Sequence, residues 1–113
     1  MLYHSEISIP EKVKKQLPSG IIKLQYTHHA INASKNDRYG EIPVFKGLNL
    51  DNAKVIEIET ENDKIEKVLY RCSWTDEKDV CIAVLIATGT VKTVWVNLKS
   101  DIHKTLDKSK YSK

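Results

Sequence analysis

Glycine and proline are scarce in this chain, 4 and 3 among 113 residues, and no stretch gathers them with serine into a linker. There is also no internal repeat and no low-complexity block, so the chain reads as one unit spanning residues 1–113. Residues 1–9 and 107–113 are the candidates for flexible termini. Cysteine is limited to Cys72 and Cys81, too few for the disulfide framework of a small secreted scaffold and not spaced as a CxxC pair. A reducing, cytoplasmic setting is therefore expected. No apolar run approaches the 18 or so residues that a membrane-crossing helix needs, so no membrane association is expected. The N-terminal MLYHSEISIPEKVKK lacks the basic start and apolar stretch of a secretory signal. Several catalytic signatures are missing too: there is no GxxxxGK[ST] loop, no HExxH, no GxSxG elbow and no cluster of Cys and His. Nucleotide hydrolysis on a P-loop, zinc proteolysis and hydrolase-elbow chemistry are accordingly not expected.

What is present suffices for a modest core. Hydrophobic residues make up 41% of the chain, and a domain this size buries somewhat under about 70% of its unfolded surface. The formal net charge is +3, but it is unevenly placed. Residues 99–113 carry five lysines against two aspartates, while residues 51–66 hold six acidic residues against two lysines. Such poles suit an anionic partner or self-pairing.

The first half of the chain carries helix signals. PEKVKKQL, residues 10–17, begins with Pro10 at a favoured first helical position and is stopped by Pro18-Ser19-Gly20. IIKLQY, residues 21–26, is a short strand candidate. Thr27 then offers an N-cap to HHAINASKNDR, with Gly40 as the stop. In that helix Ala30, Ala33 and Asp37 share one face, and Ile31, Ser34 and Arg38 the next. Residues 41–52 read as a loop with a brief edge strand at Val44-Phe45.

From Ala53 the apolar pattern switches to period two. AKVIEIET places Ile56, Ile58 and Thr60 on one side and Glu57 and Glu59 on the other, where an exposed acidic stripe is the ordinary explanation. IEKVLYRCSW sends Val68, Tyr70, Cys72 and Trp74 to one face, with Lys67, Leu69, Arg71 and Ser73 opposite. VCIAVLIA is apolar on both faces, as a central strand covered on both sides should be. Thr88-Gly89-Thr90 turns it into VKTVWVNL, in which Trp95 shares a face with Thr93 and Asn97. If Trp74 pairs with Asp79 across the TDEK turn, Cys72 faces Cys81, as two reduced core thiols. The expected fold is α+β: one or two N-terminal helices packed on a four-stranded antiparallel meander, extendable to five or six strands.

Three stretches hold residues able to do chemistry: Tyr26 to His29, Arg71 to Trp74, and His103-Lys104-Thr105 with Tyr111. His28 and His29 are adjacent and point apart on a helix, so a three-imidazole metal site with His103 is not expected. No cofactor is expected either. The requirements most nearly met are those of metal-independent RNA cleavage. One group takes the proton of the 2′-hydroxyl, another protonates the leaving oxygen, and cations stabilise charge on the phosphate. Histidine serves either proton transfer, and Lys and Arg bind phosphate. His103, Lys104 and Thr105 follow directly after the last strand. His28 and His29 open a helix, whose N–H groups favour a phosphate. Tyr70, Trp74, Trp95 and Tyr111 are able to stack on bases or simply to fill a core. An exposed histidine in a lysine-rich terminus is ordinarily just solvated, and that reading stays open.

Helices followed by an antiparallel meander over roughly residues 20–111 resemble the small endoribonuclease fold of RelE-type toxins, colicin nucleases and related contact-dependent toxins. The segment THHAINASKNDRYGEI is also similar to the start of a related family of small domains, in which a His-Ala pair opens a helix followed by spaced arginines and Gly-Ile. His29-Ala30 fits that pattern, Arg38 and Gly40-Glu41-Ile42 fit it loosely, and Ala33 departs from it where an arginine is usual. The resemblance implies working residues on the sheet and near the end of the chain. The residues here that answer to it are His29, Arg71, Thr93, His103, Lys104, Thr105 and Tyr111; taken with the residue chemistry above, His29, His103, Lys104 and Thr105 are the catalytic candidates, and His28, Arg38, Arg71, Thr93, Trp95 and Tyr111 those for substrate binding. It implies RNA as substrate and a protein inhibitor as a candidate partner. An inactive relative of such a nuclease fits the resemblance equally, and two other readings remain: a non-enzymatic module binding nucleic acid or protein through the basic tail, and a structural or assembly protein of a phage or mobile element. The oligomeric state does not follow from the sequence.

Overall fold

The computed structural model describes residues 1–4 and 9–100. Its elements run β1 (Leu2–His4), α1 (Glu11–Lys14), β2 (Ile21–Lys23), β3 (Gln25–Tyr26), α2 (His28–Lys35), β4 (Gly47–Asn49), a 3-10 turn (Leu50–Asn52), β5 (Ala53–Glu61), β6 (Lys64–Ser73), β7 (Lys78–Leu85) and β8 (Thr90–Leu98). The fold is α+β, and the period-two half of the sequence builds the antiparallel meander β5 to β8. The six-stranded sheet has the order β1-β5-β6-β7-β8-β3. Two features depart from the expected architecture. A strand precedes both helices, so the helices do not form an N-terminal layer ahead of the sheet. The sheet is mixed, because β3 runs parallel to β8, with Gln25 opposite Thr90 and Tyr26 opposite Val91.

Short-range chemistry accounts for the meander. Asn62 and Asp63, both at positive φ (52° and 64°), form the two-residue turn between β5 and β6, in the residue types that tolerate it best after glycine. Trp74 and Thr75 N–H groups both donate to the Lys78 carbonyl and close the β6–β7 turn. That turn fixes Ser73 opposite Asp79, Cys72 opposite Val80 and Arg71 opposite Cys81. The expected facing of Cys72 and Cys81 is therefore corrected by one residue. Because side chains alternate, a one-residue shift sends the two thiols to opposite faces, and both are free.

Elsewhere the hydrogen-bond ladder breaks where the sequence gives little warning. IIKLQY is interrupted at Leu24, whose N–H donates to the Lys46 carbonyl. Its first half pairs with β4 in a separate two-stranded ribbon, and the edge strand expected at Val44-Phe45 lies instead at Gly47–Asn49. In β5 the register shifts between Val55 and Glu57. This bulge turns Ile56 to the face of Leu69, while Ile58 stays with Val68. Glu57 is 1% exposed rather than part of a solvated stripe, since β1 covers β5 with His4 opposite Glu57. His4 Nδ1 lies 3.5 Å from the Glu57 carboxylate.

The first face of the sheet carries the main core, in which Val13 of α1, Ala30 of α2, Ile42, Leu48 and Leu50 pack on Ile58, Val68, Tyr70, Val80, Ile82, Val84, Val91, Val94 and Val96. Both helices thus lie on one face, although α1 is a single turn with Pro10 as its N-cap rather than its first residue. In α2 the buried positions are Ala30 and Ser34, continued by Asp37. Ser34 rather than Ala33 faces inward, and its hydroxyl is satisfied by the Ile31 carbonyl at 2.7 Å. Asp37 closes the edge of β8 beyond its short pairing with β3: one carboxylate oxygen accepts the Val96 N–H at 3.1 Å and the other the Tyr39 N–H at 3.0 Å. An unpaired strand edge is a template for aggregation, and a buried carboxylate on it removes that template. The second face carries a smaller cluster, Ile56, Leu69, Cys81, Ala83 and Trp95, which is also buried. Among the described residues no helix is long and apolar enough to cross a membrane.

Candidate functional site

The candidate residues fall on two sides of the sheet. Arg71, Thr93 and Trp95 lie on the second face, in register across β6, β7 and β8 through Cys81 and Ala83. His28 and His29 lie at the start of α2, which packs on the first face. His103, Lys104, Thr105 and Tyr111 are outside the described residues.

On the second face Arg71 is 8% exposed and is bound on two sides. Its Nε donates to Asp79 at 2.8 Å and one terminal nitrogen donates to the Leu98 carbonyl at 2.9 Å. Asp79 sits diagonally across the β6–β7 pair, within reach of a long side chain. Its second oxygen accepts from Lys99 Nζ at 2.5 Å, and the same ammonium reaches the Ser73 hydroxyl at 2.7 Å. Burial pushes the Asp79 carboxyl upward, but the hydrogen bonds from Lys99 and Arg71 and their charges outweigh it and hold the group below the usual carboxylate range. The network therefore ties three strands together at the point where β8 ends. Trp95 is 1% exposed, and its indole N–H donates to the Asn97 side chain at 2.7 Å. Thr93 is buried beside it. Desolvation pushes the Cys81 thiol up to about 12, so it is neutral at physiological pH.

At the other site Thr27 is extended, and its hydroxyl accepts the Ala30 N–H at 3.0 Å, capping α2 as the sequence predicts. The same hydroxyl donates to the Lys92 carbonyl at 3.5 Å, and the Thr27 N–H donates to the Val91 carbonyl at 3.2 Å. These bonds bring the first turn of α2 against β8 where that strand bulges. Ala83 pairs with Thr93 and Val84 with Val91, so Lys92 is the extra residue. Bulges re-aim side chains, and Lys92, His28 and His29 are all exposed at this rim. Arg38, beyond the end of α2, lies over the Tyr39 ring, 5.0 Å from its centroid. Among the described residues no three His, Cys, Asp or Glu side chains gather in a way that would hold a metal ion.

A third feature has no counterpart in the sequence reading. A cleft of about 540 Å³ opens between the β2–β4 ribbon and the end of β6, lined by Phe45, Gly47, Leu48, Asn49, Asn52, Cys72, Ser73, Trp74, Val80 and Ile82. Its walls come from two stretches, residues 45–52 and 72–82, separated by 20 positions at their nearest, so no local pattern announces it. The partners of Arg71 were nearer to being legible: Asp79 lies eight residues on, across a recognisable turn, but the one-residue register decides whether the two share a face. Lys92 was hidden because a bulge leaves no compositional trace in VKTVWVNL. No family model, curated protein or solved structure matches this chain.

Proposed function

We propose that the protein is a small endoribonuclease-like protein that cleaves RNA by general acid/base chemistry without a metal ion. The observation that carries the reading is the rim where the capped first turn of α2, with His28 and His29 exposed, meets the bulged Lys92 of β8. In the reaction one imidazole removes the proton from a ribose 2′-hydroxyl, whose oxygen attacks the adjacent phosphorus. The bond to the 5′-oxygen breaks, a second imidazole protonates that oxygen, and a 2′,3′-cyclic phosphate remains. His29 and His103 are the two proton-transfer groups in this reading. Lys92, Lys104 and Thr105 stabilise the charge on the phosphate, with His28 and Arg38 along the strand. Arg71 is occupied by Asp79 and Leu98, so it serves as a positioning residue that holds the end of β8.

The test is incubation of the purified protein with a single-stranded RNA in EDTA, with product ends analysed for the cyclic phosphate. Wild-type protein should cleave, and His29→Ala and His103→Ala should each lower the rate by about 10² to 10⁴ while the circular dichroism spectrum stays unchanged. No cleavage by the wild type, or cleavage by both variants at the wild-type rate, refutes the reading. A binding module without chemistry is the second reading, favoured by the uncharged cleft. It predicts retention of RNA without cleavage.

A further inference from the structure

We propose that the cleft beside β4 receives an unpaired base of a single-stranded RNA, a subsite that rests on the RNA reading above and deepens it. None of the described residues lining the cleft is charged at neutral pH: its one titratable side chain, Cys72, is raised to about 11 by desolvation and by the charge of Asp79. A phosphate has no counter-charge there, whereas a neutral ring loses nothing by entering. The walls present two half-buried aromatic rings, Phe45 and Trp74, and bases stack on such rings regardless of sequence. Both rings stand on anchored backbone. The Phe45 N–H donates to the Tyr26 hydroxyl at 3.1 Å, and the Trp74 N–H donates to the Lys78 carbonyl at 3.1 Å. The floor is aliphatic, from Leu48, Val80 and Ile82, and Asn49 and Asn52 supply the edge. The Asn49 side-chain oxygen already accepts the Asp51 N–H at 3.1 Å, which orients its amide and leaves the NH₂ end as donor to a ring acceptor. A volume of about 540 Å³ lies in the range of sites that enclose small organic ligands. Phosphates on either side of the seated base remain outside the cleft.

The experiment uses the full chain and 2′-O-methyl octanucleotides, one homopolymer of each base, which lack the hydroxyl needed for cleavage. Binding is read twice, by tryptophan fluorescence and by anisotropy of end-labelled strands. Because Trp95 is 1% exposed, quenching on binding reports Trp74. At least one homopolymer should quench it. Trp74→Leu, which keeps an apolar side chain at the site, should weaken binding of that strand about tenfold, and Asn52→Ala, on an exposed residue, several-fold. Both factors should be the same at about 50 and 200 mM salt, whereas the loss on Lys92→Ala should shrink as salt rises. Binding that saturates without quenching, or wild-type affinity in both cleft variants, overturns the proposal. So does a failure of all four strands to bind. Quenching without cleavage of the matching RNA removes the nuclease reading and leaves the base site standing. Cleavage without quenching does the reverse.

Discussion

Gly89 offers the sharpest test of how the mixed sheet is joined. It lies in the turn between β7 and β8 at φ +71°, and a Cβ placed on it would sit 2.2 Å from the Lys23 carbonyl oxygen. Gly20 has nearly the same backbone, φ +76°, with nothing within 4 Å of the same position. Replacing either glycine by alanine imposes the left-handed penalty, about 1 kcal/mol. Only at position 89 is there also a clash, roughly 1 Å inside the usual carbon–oxygen approach of about 3.3 Å. The atom struck is backbone, so relief requires the crossing from β2 to β3 to move away from the turn. That displacement costs about 1–3 kcal/mol as overpacking. It also strains the Gln25 N–H bond to the Gly89 carbonyl, 3.0 Å long, worth about 1 kcal/mol. Gly89→Ala should therefore destabilise by about 3–5 kcal/mol, against about 1 kcal/mol for Gly20→Ala. For a domain whose total stability is about 5–15 kcal/mol, the difference is readily seen in urea unfolding followed by circular dichroism. With a slope of about 2 kcal/mol per molar, the Gly89 variant should lose more than 1 M in midpoint. Equal midpoints for the two variants would refute the close approach of Lys23, and with it the placement of β3 beside β8.

Two further outcomes follow from the register of β6 and β7. Asp79 is held below its unfolded carboxylate value, so its contribution is present above that value and is lost as pH falls through the lower folded one. Asp79→Asn should cost about 2 kcal/mol at pH 7, less than the 3–5 of a fully buried pair because Asn keeps one hydrogen bond. The gap to wild type should close in urea titrations carried below the folded value, and a gap that widens with acid would contradict the network. The two thiols, raised to about 11 and about 12 by burial, should react slowly with Ellman's reagent at pH 8 in the native protein and promptly in urea. Because they lie on opposite faces of the sheet, oxidation should give no internal disulfide, and a non-reducing mass two units lower would refute the β6–β7 register.

Much of the meander was legible because its signals are local. Period-two runs marked β5 to β8, Thr75 to Lys78 and Thr88 to Thr90 marked two of the turns, and Thr27 marked the start of α2 through a cap that uses one side chain. The doubly apolar VCIAVLIA identified the interior strand. Tyr70 and Trp74 were placed with the main core, and Trp95 with Thr93 and Asn97 on the other face, by alternation alone. The breaks in the ladder share one cause. Leu24, Ile56 and Lys92 break or shift a ladder by a single residue, and the advantage of doing so lies in partners distant in sequence.

The candidate site divides in the same way. Sequence by itself determined an α+β domain, its meander, the exposed histidines at a capped helix start and the concentration of lysine after Leu98, since each depends on residue type and near neighbours. Tertiary structure decided which of these meet. It set Thr27 against the bulge at Lys92, bound Arg71 to Asp79 and Leu98, separated Cys72 from Cys81, and formed an uncharged cleft from Phe45, Asn49, Asn52 and Trp74. Register and strand order do this work, and both are fixed by the packing of two buried faces at once, which no single segment of the chain contains.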